Sequence, residues 1–206
     1  MNKYFETLRI QRWDDHRFYH QSRINQSLHF VSAVAFVAAY VLLFIDPATA
    51  ALVAWGISMT TRQAGHFFFE PHGYDSVNQA THDHKEAIKV GYNLRRKVVL
   101  MSLWAAAPLV LLLSPSLFGI LTPAEGLRGY LHTLGMVWLA IGAGAVLLRA
   151  VHLFFIMDVM TGLVWVCKIL TDPFHDIMLY WRSPLALMRG EWMDPMIHVP
   201  QRHGTP

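Results

Sequence analysis

Residues 28–70 read LHFVSAVAFVAAYVLLFIDPATAALVAWGISMTTRQAGHFFFE, and this stretch decides the fold class. Residues 28–45 carry no charge, and their length is close to the ~20 apolar residues a helix needs to cross a bilayer. Asp46 and Pro47 then make a tight turn, because proline cannot continue the preceding helix and suits the first position of the next. Residues 48–69 form a second apolar segment with Arg62 and His66 near its end. At ~1.5 Å per residue the chain climbs about 24 Å from His29 to Ile45 and descends about 26 Å from Thr49 to His66. The two histidines therefore fall at nearly equal depth on neighbouring antiparallel helices.

Working outward, the whole chain of 206 residues is 54% hydrophobic and only 15% charged, too apolar for an ordinary soluble domain. The reading is a single all-α polytopic membrane domain, 1–206, with about four transmembrane helices at 28–45, 48–69, 98–114 and 131–156. Lys3, Arg9, Arg12, Arg17 and Arg23 precede the first span, and Lys85, Lys89, Arg95, Arg96 and Lys97 separate the second from the third. The opposite connections hold only Arg128. Because retained positive charge marks cytoplasmic loops, both termini are predicted cytoplasmic, in a protein of the bacterial inner membrane type. The net charge of +3 follows from this asymmetry and from anionic head groups, and gives no argument for nucleic acid. The first 27 residues are polar and charged, so no secretory leader is expected there.

Residues 14–27 lack Gly and Pro and read as a lead-in helix entering the first span. Residues 75–97 suit a cytoplasmic helical loop, Pro108 predicts a kink in the third span, and Gly142 with Gly144 offers a close-packing surface in the fourth. The tail, 157–206, reads as an interfacial helical part broken into short pieces by Pro173, Pro184, Pro195 and Pro200.

His16, His20, His29, His66, His72, His82 and His84 all fall on the cytoplasmic side of this arrangement, and only His132 clearly on the other. A one-sided crowd of the commonest metal ligand near lipid points to a metal site at that face. The single Cys167 leaves His, carboxylate and water to hold the ion. His20 and His29 are nine positions apart, on opposite sides of a continuous helix, so they share an ion only if the lead-in bends. His82 and His84 also point to different sides if helical, and His152 reaches the same level as Arg149.

FYHQSRINQSLH, residues 18–29, and RQAGHFFFE, residues 62–70, together resemble the two signature segments of the membrane-embedded 2-hydroxy fatty acid dioxygenase family. The resemblance covers about residues 12–70, roughly a third of the chain. It implies an iron(II) enzyme, with one metal ion favoured, that uses O2 to shorten a 2-hydroxy fatty acid by one carbon. By position it implies that His20, His29 and His66 are metal ligands or their immediate partners, oriented by Asn25, Gln63 and Glu70. From this sequence alone His82, His84 and His152 are additional candidate ligands, and Arg62, Arg95 and Arg149 are candidates for holding a substrate carboxylate. Partners are then a membrane lipid or fatty acid and O2, with a homo-oligomer or a larger membrane complex left open. The rival readings are a di-iron lipid hydroxylase, which lacks its HisxxHisHis here, and a non-catalytic small subunit binding haem, quinone or structural metal.

Overall fold

The computed structural model describes residues 3–195; the end of the expected tail, including Pro200, lies outside the described residues. Those residues are helical with no named strand among them. Among the described residues, three helices are long and apolar enough to cross a membrane: α2 (Arg23–Leu42), α6 (Leu94–Leu113) and α7 (Gly126–Ile156). The expected second span is helical throughout but subdivided into α3 (Pro47–Val53), a π-helical turn (Ala54–Met59) and α4 (Thr60–Phe68). Asp46 caps α3 by accepting from the Ala48 and Thr49 amides, with Pro47 in its first turn, as the turn chemistry predicts.

The lead-in does not run into the first span. A helix α1 (Lys3–Tyr19) ends, residues 20–22 lie outside both helices, and Ser22, in extended conformation, caps α2. No glycine or proline makes this break. Instead Asn25 Nδ2 donates to the Tyr19 carbonyl (2.8 Å) and Gln26 Nε2 to the His20 carbonyl (2.8 Å), satisfying acceptors that an interrupted helix leaves open. The Arg23 amide donates to the Trp192 carbonyl (2.9 Å), so the start of α2 is also held by the tail.

The 75–97 loop is less helical than expected. Only α5 (His82–Ile88) forms, because the Asp75 carboxylate closes a turn on the Val77 and Asn78 amides and Thr81 caps a fresh start. Asn93 then caps α6, which places Arg95, Arg96 and Lys97 in its first turn rather than in the loop. The tail is more helical than expected. Asp158 caps α8 (Val159–Tyr180), which continues through Pro173 and is followed by α9 (Ser183–Met188).

Trp55, Leu134 and Trp138, with Ala107 and Leu111 of α6, form the apolar core between α3, α6 and α7. Pro108 cannot donate to the Trp104 carbonyl, and Trp138 Nε1 supplies that bond at 3.0 Å. Close packing of α7 depends on Gly135, where a Cβ would lie 2.4 Å from the Ala48 carbonyl oxygen. Of the expected pair, Gly142 meets Trp55 while Gly144 faces open space.

Candidate metal centre

The break before α2 turns His20 back over the start of that helix. His20 and His29 ring centroids are 4.0 Å apart, and His66, carried by α4, stands 5.3 Å from the first and 4.9 Å from the second. One ligand atom from each of the three lies within 4.8 Å of the others. His20 and His29 are 4% and 0% exposed, a depth at which an unsatisfied nitrogen is costly. Nevertheless His20 Nε2 and both nitrogens of His29 lack hydrogen-bond partners.

Each ring is approached from behind at Nδ1. The Tyr180 hydroxyl lies 2.9 Å from His20 Nδ1, a Glu70 oxygen 2.7 Å from His66 Nδ1, and an Asp176 oxygen 3.6 Å from His29 Nδ1. Imidazoles that ligate metals characteristically give their second nitrogen to a carboxylate or other acceptor, which sets tautomer and ring orientation. The donor set therefore fits one metal ion, which His20, His29 and His66 would hold through one ring nitrogen each. Burial lowers the pKa of His20, reinforced by His29 and Arg62, so the ring is the neutral, ligating form. Burial alone would raise the Asp176 carboxyl, but Arg62 at 3.0 Å and His29 outweigh it and hold it down to about 2.

The remaining residues singled out from sequence have distinct surroundings. Glu70 backs His66, and Gln63 lines a cavity beside the rings. Asn25 serves the helix break, and its Oδ1 lies against Gly65, where a Cβ would be only 2.2 Å away. Arg62 is bound to Asp176, while Arg149 donates to the Val90 carbonyl and meets His152. His82 and His84 do not join the three-histidine group. The loop docks through Lys85, which is 1% exposed and paired with Asp75 (2.7 Å), so His82 meets His72 edge to face and His84 is left exposed.

Asp176 and Tyr180 escaped the sequence reading, as did the contact between Tyr180 and His16 (2.7 Å). Their signal was present: Asp172, Asp176 and Tyr180 recur every four residues in an apolar segment, which puts three polar groups on one helix face. A cavity of about 140 Å³ opens beside the cluster, with His20 and His66 in its wall. No protein-family model, curated protein or solved structure matches this chain.

Proposed function

We propose that this chain is a four-span membrane oxygenase that holds one iron(II) ion on His20, His29 and His66 at the cytoplasmic face and shortens a 2-hydroxy fatty acid by one carbon. The observation that carries this reading is the convergence of three rings, two of them hydrogen-bonded at Nδ1 and the third with Asp176 3.6 Å from its Nδ1, while His20 Nε2 and both nitrogens of His29 lack a hydrogen-bond partner. The resemblance of residues 18–29 and 62–70 to the dioxygenase family adds the choice of iron, and the clustering of basic residues adds the cytoplasmic side. The reaction balances as 2-hydroxy acid plus O2 giving the acid one carbon shorter, carbon dioxide and water.

Iron(II), when bound, supplies the redox chemistry that O2 requires and a Lewis-acidic anchor for a 2-hydroxy carboxylate. The protein's own contribution is orientation and exclusion of water. Tyr180 and Glu70 hold two of the rings by hydrogen bonds, and Arg62 keeps Asp176 ionised beside the third, 3.6 Å from His29 Nδ1. A haem group is disfavoured by the same geometry: ring centroids 4.9 Å apart leave no space for a porphyrin between His29 and His66, the pair that face each other across the two segments.

The test is metal content by mass spectrometry, with a visible spectrum, on anaerobically purified protein beside the His29→Ala and His66→Ala variants. The expected result is about one iron per chain, lost in each variant, no Soret band, and O2-dependent release of carbon dioxide from a 2-hydroxy fatty acid. Retained metal in both variants, or zinc alone with no turnover, would overturn the assignment.

A further inference from the structure

We propose that Lys97 is the anchor for the carboxylate of a single-chain fatty acid whose head lies beside the three-histidine cluster, an inference that rests on the oxygenase reading above. The cavity next to His20 and His66 is lined by four cationic side chains, Arg62, Lys89, Lys97 and Lys168. Three of them are engaged. Arg62 binds Asp176, Lys168 binds both cavity carboxylates, Asp15 and Asp172, and Lys89 binds Glu86 (3.4 Å) and sits over the Tyr19 ring. Lys97 is 8% exposed, and its ammonium makes no hydrogen bond or ion pair with a described residue. The nearby acids Glu70 and Glu86 are engaged instead by His66, and by Lys89 with the Leu94 amide.

A buried ammonium without an acceptor is costly, and a carboxylate arriving in the cavity would relieve that cost. The neighbouring wall selects the rest of the ligand. Leu100 and Met101 are three and four positions beyond Lys97 on α6, so they share its face and line the same cavity. With Met59 they continue into the apolar core around Trp55 and Leu111. One face of α6 thus presents a positive charge and then a hydrocarbon track, the pattern complementary to a fatty acid. The arginines singled out from sequence are poorer anchors, since Arg62 and Arg149 already have acceptors.

The experiment uses the full chain in phosphatidylcholine nanodiscs, both iron-loaded and chelator-stripped, and measures binding of 2-hydroxyhexadecanoic acid against the matching fatty alcohol. Wild type is expected to prefer the acid by about 10–100-fold, the range for one charge-assisted bond in a buried site. In chelator-stripped protein, where no iron holds the carboxylate, Lys97→Gln should abolish that preference without changing alcohol affinity, and Lys97→Arg should keep most of it. A stripped wild type with no acid preference overturns the anchor without reference to any variant, as does an acid preference of stripped protein that survives Lys97→Gln. Competition of the acid by added phosphatidylglycerol would assign the charge to a phospholipid head group and overturn the fatty acid. Absence of iron or turnover overturns the oxygenase reading alone, because the binding measurement on stripped protein still reports on Lys97.

Discussion

Tyr180 carries one hydroxyl proton and meets two imidazoles, His16 Nδ1 at 2.7 Å and His20 Nδ1 at 2.9 Å. With His20 Nε2 turned to the metal position, its Nδ1–H donates to the Tyr180 oxygen, and the hydroxyl in turn donates to His16. Tyr180→Phe should therefore leave the cluster assembled but lower metal affinity about 10–100-fold, measured by competition with a chelator. Unchanged affinity would make the tyrosine a packing residue. The lowered pKa of His20 also sets a pH dependence. Its folded value lies below the ordinary one of about 6.5, so its contribution to stability is present above that pH and lost as pH falls towards the folded value. Metal-free protein should lose thermal stability on acidification below about pH 6.5, and His20→Gln should flatten that loss. At this scale the sequence made His29 and His66 legible through equal depth, but Tyr180 lies 160 positions from His20 and no local pattern could pair them.

Two departures from regular helix bring the rings together. The non-helical residues 20–22 reverse His20 onto α2, and the π-helical turn before α4 shifts the phase of everything after it, including Arg62 and His66. Gly65 then permits α4 to approach α2 closely, since a Cβ there would lie 2.2 Å from Asn25 Oδ1 and 3.5 Å from a His29 ring carbon. Gly65→Ala is expected to destabilise the protein by about 1–3 kcal/mol through overpacking and to lower bound metal by displacing Asn25 or α4. Gly73→Ala, where nothing lies within 4 Å, is the matched control and should change neither. The hairpin of the first two apolar segments was legible because Asp46 and Pro47 are local signals. The break at residues 20–22 was not, because its cause is side-chain capping of carbonyls rather than a breaker residue.

Across the whole molecule, the loop after α4 is docked on the end of α1 through Lys85, which a buried ion pair within the loop holds in place. Lys85 binds Asp75 at 2.7 Å and donates to the Phe18 carbonyl, while the Tyr19 hydroxyl donates to the Lys85 carbonyl at 2.6 Å. Burial pushes the Asp75 carboxyl up, but the Lys85 and Asn78 donors outweigh it, so its pKa is lowered. Its stabilisation is therefore complete above the ordinary carboxyl value of about 3.9 and is lost as pH falls through the lower folded value. Asp75→Asn should cost ~3 kcal/mol near neutral pH, by leaving Lys85 buried without its partner, and the gap to wild type should close in strong acid. Denaturation across pH checks this, and a pH-independent gap would count against the ion pair. The sequence by itself determined that the chain is helical and apolar enough for a membrane, where its first turn falls, and which two histidines share a depth, because hydropathy, proline and helical rise act over neighbouring residues. Only the tertiary structure decided that α8 supplies Asp176 and Tyr180, that His82 and His84 stand apart, and that, of the four cations lining the cavity, Lys97 has no acceptor among the described residues. Those facts depend on which helix packs against which, and on how partners far apart in sequence divide the charges among themselves.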